Sequence, residues 1–343
     1  NMSFMLRRST IIILSALCSL MIMSCSRKEN VEQISSVSGE NFDTYFADEE
    51  PSQEKQNDRL RNEIGRLFFV EHAGAEVNET MRLALQFHPP AGLLLMPPLD
   101  TENRQIQDMV RAYSTVVMNA HRKPVLISAD TERGVFKGMT YLAQPRWLGK
   151  IASKQGYEIC HLHAQIMADE LLALGINAPM SVVSDLAHKT LASRGISNNP
   201  EIVSKCLQEF MQVFVERKKI IFITQHFPGA SLVQTKMTST DSFKKYLAPF
   251  VSLIDFVKIH HANVQLSLVI NNAKYPVIDE KNKAPFSQLL LKDMLRDKMQ
   301  FVGLAISDGM WKDSFAQMNT DQLLPMYVLS ILSGMDVLTI PGS

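Results

Sequence analysis

The sequence predicts an α/β protein folded as a (β/α)8 barrel of the TIM type, and three observations support this. Eight short apolar runs, each four to seven residues long, recur along the chain as buried strands would. The segments between them, such as 156–174 and 200–217, have helical length and spacing. Several runs end at polar residues, and barrels of this type place their active sites at the C-terminal strand ends. A doubly wound open sheet is the alternative, but no Gly-rich phosphate loop supports it.

Each predicted strand is expected to be followed by a helix. The eight strands are Leu67–Val70, Gly92–Met96, Val125–Ser128, Ile176–Pro179, Ile220–Ile223, Val264–Ile270, Phe301–Ile306 and Val337–Ile340. Because the last run lies close to Ser343, we expect the barrel to lack its last helix. This leaves open a missing C-terminal domain.

The composition indicates a large folded core and argues against a nucleic-acid partner. Of the 343 residues, 46% are hydrophobic, which is enough for a sizeable core. Lys and Arg together number 35, as do Asp and Glu, whereas proteins that bind nucleic acid need a basic surface.

The N-terminal segment has the features of an export signal. Arg7 and Arg8 precede an apolar run over residues 11–23, and Ser24 stands before Cys25. This pattern predicts a signal peptide over residues 1–24 and a lipidated Cys25. We therefore expect an exported lipoprotein of the cell envelope, in the periplasm or on the outer membrane, that contacts the membrane through its lipid anchor only.

Two further segments complete the predicted organisation. Residues 25–60 are polar, which predicts a disordered linker. Residues 61–343 are predicted to form the barrel, truncated at its C-terminus. Cys160 and Cys206 lie in predicted helices without zinc-ligand spacing, so we expect buried thiols rather than a disulfide framework.

Polar residues at the predicted strand ends form a candidate site. Asp308 follows the buried run Phe301–Ile306, although Ser307-Asp308-Gly309 taken alone is more typical of a turn with an N-cap Asp. The others are His72, Asp130, Glu132, Asp185, His226 and Asn271. Convergent polar groups on an apolar floor suit a carbohydrate ligand, and paired carboxylates suit glycoside hydrolysis.

A set of motifs, in order over residues 64–343, resembles the catalytic barrel of glycoside hydrolase family 3, in its bacterial β-N-acetylhexosaminidase branch. They are Ile64-Gly-Arg-Leu-Phe68, Asp130-Thr-Glu132 with Gly134, Ala173-Leu-Gly-Ile-Asn177, Ala178-Pro179, Arg194, Pro200-Glu-Ile-Val203, His226-Phe-Pro-Gly229, Thr240-Asp-Ser242, Tyr275-Pro276 with Asp279, Ser307-Asp308 and Gly334-Met-Asp-Val337. The resemblance implies an exported enzyme that hydrolyses terminal N-acetylhexosamine residues of glycans or peptidoglycan fragments. It implies neither a metal nor an organic cofactor.

The resemblance also assigns roles to individual residues. Asp308 matches the retaining nucleophile, and Asp241 matches an Asp that is paired with the family's acid/base His. Asp130, Arg194 and His226 match positions that hold the sugar, so all three are candidates for substrate binding.

Several positions depart from the family pattern. Gln225 stands for Lys, Asn271 for His, Val182 for Asp, and Phe243 for the acid/base His. Gln225 and Asn271 remain substrate-binding candidates, whereas Phe243 can carry no proton. The alternative function is therefore a catalytically impaired barrel that binds a glycan or an envelope partner.

Overall fold

A computed structural model describes residues 52–342, except 97, 99–100, 122, 132–143, 189–190, 192–193, 232–239, 263–264 and 311–317. The strands are β1 (Phe68–His72), β2 (Gly92–Leu95), β3 (Leu126–Ala129), β4 (Met180–Val183), β5 (Phe222–Phe227), β6 (Leu266–Ile270), β7 (Ala305–Ser307) and β8 (Leu338–Ile340). The α-helices are α1 (Gln53–Gly65), α2 (Glu79–Phe87), α3 (Asn103–His121), α4 (Pro145–Gln155), α5 (Glu158–Ala173), α6 (Pro200–Arg217), α7 (Thr240–Ile259) and α8 (Thr320–Ser333). A π-helix, Leu289–Lys298, lies between β6 and β7.

The eight strands close into a parallel barrel. Two four-stranded parallel sheets have the orders β3-β2-β1-β8 and β4-β5-β6-β7. Parallel bridges between Asp130 and Met180 and between Ile306 and Val337 join the two sheets at both edges. Each strand therefore neighbours the one before and after it in sequence, as predicted, and the open-sheet alternative is wrong.

Two apolar layers surround the strands. A larger cluster fills the space between strands and helices, and a smaller one fills the barrel interior. The interior cluster comprises Phe69, Leu94, Ala178, Met180, Ile223, Val269, Ile306 and Val337. Successive side chains of a strand point to opposite faces, so the residue two positions further along faces inward again, nearer the C-terminal rim.

Asn residues set the starts of several helices. Asn78, Asn199 and Asn319 precede α2, α6 and α8, and their side chains accept hydrogen bonds from backbone N–H groups in the first turn. These bonds satisfy donors that have no partner within the helix. The start of each of these three outer helices is thus fixed by a residue next to it in the sequence.

The expected linker and fourth strand are corrected by the structure. Residues from Gln53 onward form α1, so the predicted linker over residues 25–60 extends too far; residues 1–51, including Cys25, lie outside the described residues.

The predicted strand Ile176–Pro179 ends where β4 begins. There the side chain of Asn177 binds the backbone of Ile127, at 2.8 Å, in place of regular strand pairing.

The expectation of two free thiols is also wrong. Cys160 in α5 and Cys206 in α6 are joined by a disulfide, with their Cα atoms 5.4 Å apart. Both are fully buried where the two helices pack against each other. Helix packing, which cysteine spacing does not reveal, brings the two thiols together.

Removing this disulfide should lower the free energy of unfolding. The crosslink spans 46 residues of chain, so Cys206→Ser should cost about 4 kcal/mol by the chain-entropy relation. Urea unfolding followed by circular dichroism would measure the loss.

Dithiothreitol provides the matched control for this prediction. It should reduce the stability of the parent chain to a similar extent and leave Cys206→Ser unaffected. Equal unfolding midpoints for the parent and the variant without reductant would contradict the crosslink.

Candidate active site

A cavity of about 40 Å³ lies at the C-terminal end of the barrel. Its described lining combines apolar, amide, hydroxyl and carboxylate groups from all eight strands or their ends. The lining residues are Glu71, Leu94, Met96, Asp130, Met180, Gln225, Val269, Ser307, Asp308, Gly309 and Thr339. Three carboxylates therefore face one cavity, on a floor made largely of apolar side chains.

The period of two along each strand explains this lining. The polar members lie two residues beyond members of the interior cluster: Glu71 beyond Phe69, Gln225 beyond Ile223, Asp308 beyond Ile306 and Thr339 beyond Val337. Side chains two apart share a face of the strand. The cavity is the next layer of the barrel, in which polar residues replace apolar ones.

Backbone contacts hold Asp308 at the end of β7. Its N–H donates to the carbonyl oxygen of Ile270, at 3.0 Å, and its carboxylate oxygen Oδ1 accepts from the N–H of Gly309, at 2.7 Å. The side-chain amide of Asn272 donates to the carbonyl of Gly309, at 3.2 Å. These bonds fix the strand end, so the position of the Asp308 carboxylate is defined by the barrel itself.

His226 is held by a buried carboxylate. Its Nδ1 lies 2.9 Å from Oδ2 of Asp185, and its backbone N–H donates to the same oxygen at 3.0 Å. The other oxygen of Asp185 accepts from the N–H of Ala230. Asp185, predicted as a strand-end residue, lies two residues beyond the end of β4. His226 itself is not among the residues that line the cavity.

The buried side chain of Tyr275 interacts electrostatically with both Asp185 and Asp308. Its hydroxyl is buried and donates to the carbonyl of Gly229, at 3.2 Å. Burial raises the pKa of Tyr275 well above its usual value, and the charges of Asp185 and Asp308 raise it further. The phenol therefore remains protonated and acts as a neutral hydrogen-bond donor beneath the site.

His72, one of the strand-end candidates, faces the other side of β1. Its Nε2 lies 2.9 Å from the carbonyl oxygen of Glu76, and its ring packs edge-on against Tyr113. Burial lowers the pKa of His72. The preceding residue, Glu71, lines the cavity instead. Sequence reasoning missed Glu71, although the period of two from an inward-facing Phe69 would have found it.

Asp241, the predicted partner of the acid/base position, lies on the surface of the protein. It occupies the first turn of α7, where its side chain is 94% exposed and 3.6 Å from Nζ of Lys244. An acidic residue stabilises the first turn of a helix, which accounts for its presence. Phe243 is buried in the core between helices and strands. Neither residue is among those that line the cavity, and the catalytic role of Asp241 stays a prediction.

The remaining candidates occupy different surroundings. Asn271 follows β6, and its side-chain oxygen accepts from the N–H of Ala273 at 2.8 Å, which stabilises the turn. Arg194 is partly buried and precedes Gly195, which bridges to Val183 in β4. Neither is among the residues lining the cavity. Glu132 lies outside the described residues.

Comparison with known proteins identifies the family. The model of the glycosyl hydrolase family 3 N-terminal domain matches residues 59–342. The chain belongs to glycoside hydrolase family 3. It is 30% identical over 259 residues to a β-hexosaminidase of Nitrosomonas eutropha, covering 69% of this chain and 70% of the relative.

Solved structures of this family share the fold of the chain. NagZ from Neisseria gonorrhoeae superposes with a TM-score of 0.67 at 21% identity, covering 80% of this chain and 81% of that one. A family 3 β-N-acetylglucosaminidase from Paenibacillus sp. str. FPU-7 has a TM-score of 0.70 at 19% identity. That alignment covers 83% of this chain but 55% of the longer enzyme. The predicted barrel and family are confirmed.

Within the described part of the chain, no group of three or more His, Cys, Asp or Glu side chains is arranged to hold a metal ion. Among the same residues, no helix has the length and apolar character needed to cross a membrane.

Replacing Asp185 should weaken both the fold and the site. Asp185→Asn changes a buried acceptor of three N–H groups, so we expect a loss of about 1.5–3 kcal/mol in the free energy of unfolding. Catalytic efficiency should fall as well, because His226 loses the group that orients it. Urea unfolding and steady-state kinetics would measure both effects.

Asp169→Asn is the matched control, since the Asp169 carboxylate is paired with Arg217 but largely exposed. It should change neither quantity appreciably. Equal behaviour of the two variants would show that Asp185 has no special role.

Proposed function

We propose that this family 3 glycoside hydrolase is a retaining β-N-acetylhexosaminidase with Asp308 as its nucleophile. The observation that carries the proposal is the position of Asp308, which lines the same cavity as Asp130 and Gln225 at the C-terminal end of the barrel. Carboxylates at strand ends are where such barrels carry out catalysis. The motifs that contain these residues follow the order of the family pattern, and the family model matches residues 59–342.

The proposed chemistry uses Asp308 as a carboxylate. One of its oxygens attacks C1 of the terminal sugar and forms a covalent glycosyl intermediate, which water then hydrolyses. Gln225 and Asp130 offer amide and carboxylate groups to the hydroxyls of the sugar. His226, held by Asp185, stands beside Gln225 and adds a candidate donor or acceptor at the rim.

The named relatives support an N-acetylhexosamine substrate. The matching relative in Nitrosomonas eutropha is named a β-hexosaminidase. NagZ from Neisseria gonorrhoeae has been solved in complex with N-trifluoroacetyl-D-glucosamine, and the present chain shares its fold. We therefore propose terminal N-acetylhexosamine residues of glycans or peptidoglycan fragments as the substrate class.

A second candidate function is a barrel that binds a glycan without hydrolysing it. The sequence has no His between His226 and His260, so the acid/base His of the family is absent from this segment. Phe243 lies in the core and Asp241 in solvent. This candidate predicts binding with no turnover, and it is separated from the first by activity measurements.

Asp308→Asn should abolish hydrolysis of 4-nitrophenyl N-acetyl-β-D-glucosaminide, because an amide cannot form the ester-like intermediate. Release of nitrophenol at high enzyme concentration would measure the loss. Asp255→Asn, a change to an exposed carboxylate of α7, is the control and should retain activity.

The result also separates the two candidate functions. Hydrolysis that survives in Asp308→Asn would refute the assigned nucleophile. Sugar binding by calorimetry in a parent chain without turnover would favour the non-hydrolytic barrel.

We further propose that the protein is an exported lipoprotein. The sequence features around Cys25 support this, and so does the disulfide between Cys160 and Cys206, because disulfides persist in oxidising compartments. The proposed location suits an enzyme that acts on cell-envelope glycans.

Lipidation can be tested by expressing residues 1–343 in a bacterium fed with labelled palmitate. The parent chain should carry label and sediment with membranes, whereas Cys25→Ala should lose both properties. Cys18→Ala, within the predicted signal peptide, is the control. Label retained by Cys25→Ala would refute the assignment.

A further inference from the structure

We propose that Glu71 is the general acid and base of this enzyme and takes the place of the loop His that its family uses. This inference rests on the proposed function, because it needs Asp308 as nucleophile. The structure contributes one fact that the motifs do not contain: the side chain of Glu71 lines the same cavity as Asp308.

The strand order places Glu71 close to Asp308 around the rim of the cavity. Glu71 belongs to β1 and Asp308 follows β7, with only β8 between them. Neighbouring strands lie about 4.8 Å apart, so the two backbones are separated by roughly 10 Å. Two acidic side chains that converge from such positions can reach the separation of about 5–5.5 Å that retaining glycosidases require between carboxyl groups.

Asp130 is less suitable because of its position in the barrel. It follows β3, four strands from β7 in a ring of eight, and so lies opposite Asp308. A carboxylate at the position of Asp130 would contact the part of the sugar ring that points away from Asp308. The side chain of Glu71 is also one methylene longer, which extends its reach toward the bond next to Asp308.

The backbone around Glu71 is fixed by close packing. β1 pairs with β2 at Glu71 itself, opposite Leu94. On the other side, a Cβ atom at Gly342 would lie 1.7 Å from the carbonyl oxygen of Glu71, so only glycine permits this approach. The hydroxyl of Thr339, on β8, donates to the carbonyl of Ser307 at 2.8 Å and ties β8 to β7. These contacts set the spacing between Glu71 and Asp308.

No other described lining side chain offers an equivalent proton donor near Asp308. Gln225 is a neutral amide, and the hydroxyl of Thr339 is bound to a backbone carbonyl. The phenol of Tyr275 donates to Gly229 and is not part of the lining. Glu71 is therefore the carboxyl group that can serve beside the nucleophile.

The proposed reaction has two steps, in which the glycosyl intermediate forms and is then hydrolysed. Asp308 attacks C1, the bond from C1 to the leaving oxygen breaks, and the protonated Glu71 gives its proton to that oxygen. The carboxylate of Glu71 then takes a proton from water as the water oxygen attacks C1. The bond from C1 to Asp308 breaks, which restores the carboxylate of Asp308 and the acid form of Glu71.

Substrates with different leaving groups test this role. Glu71→Gln should lower kcat/KM for an N,N′-diacetylchitobiose substrate by about 100- to 10,000-fold, the usual contribution of a general acid. Attack on a 2,4-dinitrophenyl N-acetyl-β-glucosaminide should be little changed, since that leaving group needs no proton. The basic limb of the pH profile for the disaccharide should disappear in this variant.

Chemical rescue gives a second, independent measurement. In Glu71→Ala, sodium azide should accelerate turnover of the dinitrophenyl substrate and yield the β-glycosyl azide, because azide attacks the intermediate without losing a proton. Glu76→Gln, an exposed carboxylate in the loop after β1, is the matched control and should behave as the parent. Circular dichroism would verify that each variant is folded.

The outcomes distinguish this inference from the function beneath it. An equal loss on both substrates, an unchanged rate on the disaccharide, or no azide product would overturn the role of Glu71. If the parent neither turns over the dinitrophenyl substrate nor forms a covalent adduct at Asp308 by mass spectrometry, the proposed hydrolase function fails, and the role of Glu71 with it.

Discussion

Alternation of side chains along eight parallel strands is the constraint on which the site depends. Once Phe69, Ile223 and Ile306 fill the barrel interior, the residues two positions later must face the same axis. Those residues are Glu71, Gln225 and Asp308. The polar layer thus needs no long loop to assemble it, because the closure of the barrel already brings the strand ends together.

Electrostatics at this rim depend on burial as much as on charge. Asp185 is buried and satisfied by three N–H groups, while Tyr275 lies close to Asp185 and Asp308 and stays neutral. A buried carboxylate is costly unless hydrogen bonds compensate it. The site therefore holds one carboxylate in a buried hydrogen-bond network and presents others to the cavity.

The barrel itself could be predicted from the sequence because buried parallel strands leave clear apolar runs. The site was only partly predictable. Phe68 and Phe69 are both apolar, so the sequence does not show which of them faces the interior. The strand-end pattern therefore predicts His72 at the site where the structure has Glu71. Phe68 packs against Tyr327 in the outer layer, which assigns the inner face to Phe69.

Contacts between distant segments account for other differences between the sequence-based predictions and the structure. The side chain of Asn177 binds the backbone of Ile127 just before β4, and the fourth strand begins four residues later than the sequence predicts. The disulfide depends on the packing of α5 against α6, which spacing along the chain does not encode. The first turn of α7 did carry a local indication, since Asp241 and Lys244 are three residues apart, as on a helix surface.

The carboxylate of Asp185 has a consequence for how a ligand is received. By binding the backbone at His226 and Ala230 as well as the imidazole ring, it ties together the start and the end of one short segment beside the cavity. The entropy of ordering that segment is lost during folding and not when the sugar arrives. A rim prepared in this way favours ligands whose shape already matches it and gives little opportunity to adapt to others.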